Sequence, residues 1–310
     1  MPDTGTTDAT KTLNSPSDSS VPLIVVRPNP GGFGAEITGL DLAAPLDPET
    51  RHALKAALAR HAVLWFPDQP LSHEALEAFT LTWGAFGRDP YIKPLDAHPH
   101  VLEVRRDPDE TASVFGGAWH SDWSFEPEPP SLTILHAKVI PPTGGDTLFA
   151  DGRAAWRALS PAFQAMLAPL RAIHSASRPY GAGGFYAQEK GRTGMTILPS
   201  PEADRTTTHP LVRRHPLTGE PALFINPVYT LSVDGFSPEE SGALLGFLFA
   251  HMTKEPFVYR HRWAPNMLTL WDNRCCLHNA TGGYDGYARV LHRTTVAGDA
   301  PMPLKERGLN

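Results

Sequence analysis

The stretch SLTILHAKVIPPTGGDTLFA, residues 131–150, is the part of the sequence that decides the fold. Its first half, residues 131–140, is rich in apolar and β-branched types, which predicts a strand. PPTGG at 141–145 predicts a turn, because Pro and Gly favour turn conformations, and residues 146–150 predict the returning strand. The centre of the chain is therefore expected to be β-structure.

Strand patterns dominate the rest of the chain as well. The C-terminal third predicts three strands, over residues 257–263, 267–272 and 288–295. Helical patterns are fewer, and the clearest begins with the capping box at Ser237 and extends to His251. This balance predicts a mainly β fold with flanking helices, of the sandwich or jelly-roll kind.

Composition bounds the domain organisation and the kind of ligand. Residues 1–20 are rich in Thr, Ser, Asp and Gly and predict a disordered tail, and residues 21–310 are expected to form a single domain. The net charge of -6 comes from 27 basic and 33 acidic residues without a basic block, which argues against nucleic acid and membrane surfaces. A small molecule is therefore the expected partner.

Two features bear on the cellular compartment. No apolar run approaches the roughly 20 residues that span a bilayer, and the N-terminus lacks the pattern of a secretion signal. Cys275 and Cys276 are adjacent, a spacing that suits neither an ordinary disulfide nor the paired Cys-x-x-Cys of structural zinc sites. A cytoplasmic protein is expected.

The motif WHSDW, residues 119–123, places an imidazole and a carboxylate two positions apart. In an extended segment His120 and Asp122 share a face and can bind one metal ion, whereas Ser121 points the other way. His278, in a turn-like stretch after WDNR, is the candidate third ligand. Two histidines and one carboxylate form the facial triad of non-haem iron(II) sites, which leaves adjacent coordination positions open.

Two arginines follow this candidate ligand on the last predicted strand. Arg289 and Arg293 share a face by the period of two, and a strand separates them by about 13 Å. That spacing suits two anionic groups rather than one. Solvent-exposed charges are the ordinary alternative, but the neighbouring Val290, Leu291 and Thr294 have an interior pattern.

These motifs, taken together, resemble the taurine and 2,4-dichlorophenoxyacetate dioxygenase family. The similar pieces occur in family order along nearly the whole chain after the tail: WHSD at 119–122, GGDTLFAD at 144–151, HPLVRRHPLTGEPALFIN at 209–226, WDNRCCLH at 271–278 and RVLHRTTVAGD at 289–299. The resemblance implies a double-stranded β-helix and an enzyme that uses Fe(II), 2-oxoglutarate and O2 and releases succinate and CO2. It also implies that the protein is a homo-oligomer, either a dimer or a tetramer.

The resemblance assigns roles by position. His120, Asp122 and His278 correspond to the metal ligands, and Thr147 and Arg289 correspond to the pair that binds the distal carboxylate of 2-oxoglutarate. Arg293 corresponds to the arginine that faces the primary substrate, although contact with the other carboxylate of 2-oxoglutarate is an open alternative. An aspartate at 122, rather than Gly or Ala, favours hydroxylation over halogenation.

The expected substrate is a small anion, either a carboxylate or a sulfonate or sulfate. HSASRPYGAGGFYAQEKGR at 174–192 is closer to family members that act on aryloxyalkanoates than to the taurine enzyme. Arg293 is expected at the anionic end of an aromatic pocket, and each aromatic has packing in the core as its alternative: Trp123, Tyr180, Phe185, Tyr229 and Tyr91. Hydroxylation beside an ether or sulfonate carbon would cleave a C–O or C–S bond.

Two other functions stay open at the level of sequence. The same iron site could carry out desaturation or oxidative decarboxylation of an amino-acid-like substrate. A protein of another class, a catalytically inactive β-helix that binds a small acid, would keep the fold without needing all of the site residues.

Overall fold

The structure, a computed structural model, describes residues 24–304. The expected disordered tail, residues 1–20, lies outside the described residues. The strands are β1 Val25–Pro28, β2 Ala35–Thr38, β3 Val63–Phe66, β4 Leu102–Arg106, β5 Leu132–Val139, β6 Thr147–Asp151, β7 Arg171–Ser175, β8 Thr206–Pro210, β9 Val212–Arg214, β10 Pro221–Leu223, β11 Thr230–Val233, β12 Val258–His261, β13 Leu268–Asp272, β14 Cys276–Ala280 and β15 Arg289–Val296. The α-helices are α1 Pro48–His61, α2 His73–Leu81, α3 Gly152–Arg157, α4 Pro161–Leu167, α5 Ser177–Tyr180, α6 Phe185–Gln188 and α7 Pro238–Met252, with short 3-10 helices at Pro201–Asp204 and Glu255–Phe257.

Two sheets carry four of the candidate site residues: Thr147, His278, Arg289 and Arg293. A seven-stranded sheet has the order β1-β2-β3-β13-β5-β15-β4, and a three-stranded sheet has the order β12-β6-β14. Leu135, Phe149, Trp271 and Leu291 belong to one buried cluster that joins these sheets. Since Leu135 and Leu291 lie in the large sheet and Phe149 lies in the small one, this cluster is the layer between the two sheets.

Helices cover the outside of the large sheet. Leu54 of α1 and Leu76 of α2 belong to a second buried cluster with Phe66, Ile134 and Leu270. Both α1 and α2 begin with a side-chain cap that the sequence encodes: Asp47 accepts from the backbone N–H of Thr50, and Ser72 accepts from that of Ala75. The mainly β architecture with flanking helices is the one that the sequence predicts.

The central stretch forms both predicted strands, but they enter different sheets. β5 pairs with β13 and β15, whereas β6 pairs with β12 and β14. The crossing occurs at Gly144 and Gly145, which have φ values of +71° and +70°. A side chain at Gly144 would collide with the backbone carbonyl of Gly283, so this turn requires glycine.

Strands β7, β11 and β14 were not predicted from the sequence, and β14 carries a candidate site residue. His278 was predicted in a turn, because Asn279, Gly282 and Gly283 follow it, but it lies in β14, where it pairs with Phe149 of β6. Pairing with a distant strand therefore outweighs the local turn propensity of this segment.

No helix within residues 24–304 has the length and apolar character needed to cross a membrane.

Candidate metal centre and active site

His120 and His278 are brought together by backbone pairing. The N–H of His120 donates to the carbonyl of His278 at 3.0 Å, and the N–H of His278 donates back at 2.8 Å. The chain then turns from Asp122 onward, so the predicted extended run is shorter than expected. The turn places Asp122 Oδ1 3.6 Å from His120 Nε2 and 3.9 Å from His278 Nε2. The three side chains offer ligand atoms within 4.8 Å of one another.

Both imidazoles present Nε2 to this point. His120 Nδ1 lies 2.7 Å from the carbonyl oxygen of Ala118, which can only accept, so Nδ1 carries a proton and Nε2 is the nitrogen left to bind a metal ion. The ring of His278 packs against Trp271, with centroids 4.7 Å apart. Burial, followed by the neighbouring His120, lowers the pKa of His278 well below its usual range. Neutral imidazoles are the form that metal ions bind.

Asp122 is held as a carboxylate by its surroundings. Burial acts to raise its pKa, but the charge of Arg293 and the two histidines outweighs burial, and the pKa of Asp122 falls well below its usual range. Thr133 Oγ1 donates to Asp122 Oδ2 at 2.6 Å and accepts from Asn273 Nδ2 at 2.8 Å. Trp271 Nε1 donates in turn to Asn273 Oδ1 at 3.0 Å. This series of hydrogen bonds fixes Oδ2 of Asp122 and leaves Oδ1 facing the histidines.

Replacement of Thr133 by valine tests this support. Valine has nearly the same shape but donates no hydrogen bond, and loss of such an outer partner typically weakens metal binding by about 10- to 100-fold. We expect a loss in that range, measured by titration with Mn(II). Thr80→Val, the same change at a buried threonine whose hydroxyl donates to the carbonyl of Leu76, should leave metal affinity unchanged. Equal affinities in the two variants would contradict a role for Thr133.

Arg289 is a buried cation without a countercharge. Within residues 24–304 no carboxylate lies within ion-pair distance of it, and its Nε is buried without a hydrogen-bond partner. Its guanidinium lies near the rings of Trp263 and Tyr284, 6.0 and 5.9 Å from their centroids, and burial lowers its pKa. A side chain at Gly145 would lie 3.1 Å from Arg289, so glycine makes room for it. A buried, unpaired charge is costly, which indicates that the site receives an anion.

Thr147 lies on the wall of the same small cavity. Its Oγ1 accepts from Trp263 Nε1 at 3.1 Å, so its own proton is free to be donated to a ligand. The cavity, about 40 Å³, is also lined by His120, His278 and both arginines, Arg289 and Arg293. The structure therefore brings the predicted metal and 2-oxoglutarate residues to one place.

Arg293 is tied to two carboxylates. Its Nη2 lies 3.1 Å from Asp89 Oδ1 and 3.3 Å from Asp122 Oδ1. Its guanidinium also lies over the ring of Trp123, 5.1 Å from the centroid. Arg293 thus borders the candidate metal ligand Asp122 directly. Its other partner, Asp89, was not identified from the sequence, because a lone aspartate in a loop gives no signal.

A second cavity of about 530 Å³ opens beside the metal ligands. Tyr180, Phe185 and Tyr229, which were expected from the sequence to line a substrate pocket, lie on its wall. It shares His120, Phe115, Gly116 and Ala280 with the smaller cavity, so the two spaces adjoin. Sequence reasoning did not single out other wall residues, of which Arg178 and Tyr186 lie in the quoted run 174–192.

Trp123 and Tyr91 lie behind this wall rather than on it, which corrects the expectation that they line the pocket. Trp123 has a left-handed backbone, with φ +44°, and its Nε1 donates to Asp89 at 2.7 Å. Tyr91 stacks on Tyr180, with ring centroids 4.8 Å apart. Both side chains are buried and support the residues that face the cavity.

The residues present fit an Fe(II) ion with a bidentate acid. Two neutral imidazoles and one carboxylate are the donor set of non-haem iron(II) oxygenases that keep open positions. The buried, unpaired Arg289 gives the second carboxylate of a dicarboxylic acid a partner. Fold and site together define the class of 2-oxoglutarate-dependent dioxygenases.

Comparisons with known proteins agree with this class. Residues 26–295 match the family described as "Taurine catabolism dioxygenase TauD, TfdA family", and the chain belongs to it. It is similar to the (S)-phenoxypropionate/alpha-ketoglutarate-dioxygenase of Sphingobium herbicidovorans, with 33% identity over 290 residues, covering 93% of this chain and 99% of the relative. It is also similar to the alpha-ketoglutarate-dependent sulfate ester dioxygenase of Pseudomonas putida, with 31% identity over 279 residues, covering 89% and 90%.

Solved structures give the same answer for the fold. A taurine dioxygenase from Burkholderia xenovorans superimposes with a TM-score of 0.75 at 33% identity, covering 90% of this chain and 91% of the other. AAD-2, crystallised with Mn(II) and N-oxalylglycine, gives a TM-score of 0.72 at 30% identity, covering 90% and 99%. The predicted double-stranded β-helix is confirmed, and the protein is an Fe(II)- and 2-oxoglutarate-dependent dioxygenase.

Proposed function

We propose that this dioxygenase hydroxylates a small organic anion with an apolar or aromatic body. The observation that carries the proposal is the cavity of about 530 Å³ with aromatic walls, which shares His120 with the candidate metal centre. The similar proteins support it, because their names give sulfate esters and phenoxypropionate as substrates.

The residues divide the work between metal, cosubstrate and substrate. His120, Asp122 and His278 would hold Fe(II), which with 2-oxoglutarate and O2 supplies the chemistry that yields succinate, CO2 and a hydroxylated substrate. Thr147 and Arg289 would hold the distal carboxylate of 2-oxoglutarate. Arg293 borders Asp122 and lines the small cavity with Arg289, which favours the cosubstrate among the two roles open to it.

The larger cavity would orient the substrate and exclude water from the metal. Tyr180, Phe185 and Tyr229 offer aromatic faces for an apolar body. Burial, more than any neighbouring charge, raises the pKa of Tyr180 and Tyr229 well above the usual value, so both hydroxyls stay protonated and can donate hydrogen bonds. Trp123 and Tyr91 hold this wall and Arg293 in place from behind.

Hydroxylation beside an ether or sulfate-ester oxygen would end in cleavage. The product carries a hydroxyl and an oxygen substituent on one carbon, and it collapses to a carbonyl compound while the C–O bond breaks and the leaving oxygen takes the proton. Desaturation, the alternative outcome on the same metal, would instead remove two hydrogens and leave the body intact. Product mass separates the two.

A panel of anions tests the proposed function. The purified protein, supplied with Fe(II), 2-oxoglutarate and air, is assayed for succinate with phenoxyalkanoates, alkyl sulfates and alkyl sulfonates. We expect at least one of these anions to raise succinate release above the rate without substrate, and its product to gain oxygen or lose an ether or ester bond. No stimulation by any member, combined with binding of an anion in the absence of metal, would favour an inactive acid-binding protein instead.

Three further properties belong to this proposal. Residues 21–310 would form a single domain, the protein would reside in the cytoplasm, and its chains would associate as dimers or tetramers. The cysteines Cys275 and Cys276 are free and buried, which fits a reducing compartment. Light scattering on the purified protein would give the number of chains, and a monomeric mass would contradict association.

A further inference from the structure

We infer that Arg178 binds the anionic group of the primary substrate and so sets the charge selectivity of the reaction. The inference rests on the proposed function and names the residue that recognises the charge of the substrate. It starts from a property of the larger cavity: among the described residues that line it, Arg178 carries a permanent charge, and none is an aspartate or a glutamate.

The guanidinium of Arg178 is oriented but not neutralised. Its Nη1 donates to the carbonyl of Thr230 at 3.1 Å and lies 3.5 Å from the carbonyl of Pro227. Within residues 24–304 no carboxylate lies within ion-pair distance of it. Two carbonyls thus fix one end of the fork, and the remaining N–H groups are left to bind a carboxylate or sulfate.

Charge balance at the inner site supports this assignment. A divalent metal ion with Arg289 and Arg293 supplies four positive charges, and Asp122 and Asp89 with the two carboxylates of 2-oxoglutarate supply four negative ones. The loaded inner site is therefore neutral before the substrate arrives. An anion that enters an aromatic cavity must be paired, and Arg178 is the cation on that wall.

Position within the cavity agrees with this role. Arg178 and His120 lie on the wall of the same space, and Tyr180 and Tyr229 lie there as well. Arg293, by contrast, lines the smaller cavity and is already in contact with Asp89 and Asp122. A substrate that fills the larger cavity can therefore place its anion on Arg178 and its apolar body against the aromatic rings.

The test measures binding rather than turnover. The protein is loaded with Mn(II) and N-oxalylglycine, which stands in for 2-oxoglutarate, and is titrated calorimetrically with (S)-2-phenoxypropionate, with hexyl sulfate and with neutral (S)-2-phenoxypropionamide. Because a hydrogen bond to a charged group stabilises a complex more than a neutral one does, Arg178→Gln should weaken binding of the anions by about 10- to 100-fold. Arg178→Lys, which keeps the charge but loses the fork, should lose less.

Two controls separate charge recognition from loop structure. Affinity for the neutral amide should be the same in Arg178→Gln and wild type, whereas a merely structural role would weaken the anions and the amide equally. Arg205→Gln removes an exposed arginine that pairs with Glu202 and should change neither affinity. N-oxalylglycine affinity should be unchanged in all variants.

Three results would overturn the inference: undiminished binding of the anions to Arg178→Gln, an equal loss for the anions and the amide, or no binding of either anion to the wild-type protein. Failure of the proposed function is distinguishable, because it would appear as anion binding to wild type without any succinate release in the assay with Fe(II) and 2-oxoglutarate.

Discussion

Asp122→Ala is expected to abolish hydroxylation and to lower Mn(II) affinity by more than about 100-fold, since loss of an outer-shell partner alone costs about 10- to 100-fold. The change removes the carboxylate on which His120 and His278 converge, so only two ligands remain. Arg293 keeps its contact with Asp89, so the fold retains a paired arginine at this point. Metal titration and the succinate assay measure the two effects.

Asp89→Asn is the matched control for that experiment. It removes the other carboxylate that contacts Arg293 but leaves the three converging side chains in place. Its metal affinity should stay close to that of the wild type. Full turnover in Asp122→Ala would remove this residue from the metal centre, and an equal loss in both variants would assign the effect to Arg293 instead.

Arg289→Ala has the second large effect, on the cosubstrate. Each charge-assisted hydrogen bond to a carboxylate contributes about 1.5–3 kcal/mol, so losing the fork should raise the 2-oxoglutarate concentration needed for half-maximal binding by about 100-fold. Arg289→Lys keeps the charge but loses the fork, so its affinity for the cosubstrate should lie between those of the wild type and Arg289→Ala. Calorimetric titration with N-oxalylglycine on the Mn(II)-loaded protein measures the change.

Thermal unfolding distinguishes this effect from a loss of structure. Wild-type protein should be stabilised by N-oxalylglycine through mass action, and Arg289→Ala should not. Without ligand the variant should unfold close to the wild-type temperature, because Arg289 has no carboxylate partner to lose among residues 24–304. Arg260→Ala removes an exposed arginine paired with Asp146 and should keep the full ligand response. A ligand response in Arg289→Ala equal to that of the wild type would contradict the assignment.

Local sequence patterns predicted the parts of the fold that depend on periodicity and capping. The strands around the central turn and the helix that begins after Ser237 follow from alternation and from a capping box, and the structure has both. β14 was missed because its stability comes from pairing with β6, which no local signal reveals. The absence of such a local signal is also why His278 was predicted in a turn.

The candidate site divides in the same way. Residue types and motif order indicated His120, Asp122 and His278, since each carries a chemistry that a metal requires, and the structure brings their ligand atoms within 4.8 Å. Trp123 was expected on the cavity wall because it follows Asp122 directly. Its left-handed backbone places the indole against Asp89, a conformation that residue type does not predict.

Long-range hydrogen bonds were beyond the sequence for a physical reason. Trp271, Asn273, Thr133 and Asp122 form a series of hydrogen bonds in which the link from Asn273 to Thr133 joins positions 140 residues apart, and neither residue type predicts that link. The contacts of Arg293 with Asp89 are of this kind as well. Such networks become visible only once the sheets have been assembled.

The most direct test of the central claim follows the oxygen atoms. The protein is incubated with Fe(II), 2-oxoglutarate, the panel anion that most stimulates succinate release, and ¹⁸O2, and the succinate is analysed by mass spectrometry. A 2-oxoglutarate-dependent dioxygenase places one ¹⁸O atom in succinate, in amounts that match the substrate consumed. Unlabelled succinate, or substrate consumption that continues without Fe(II) or 2-oxoglutarate, would contradict the account.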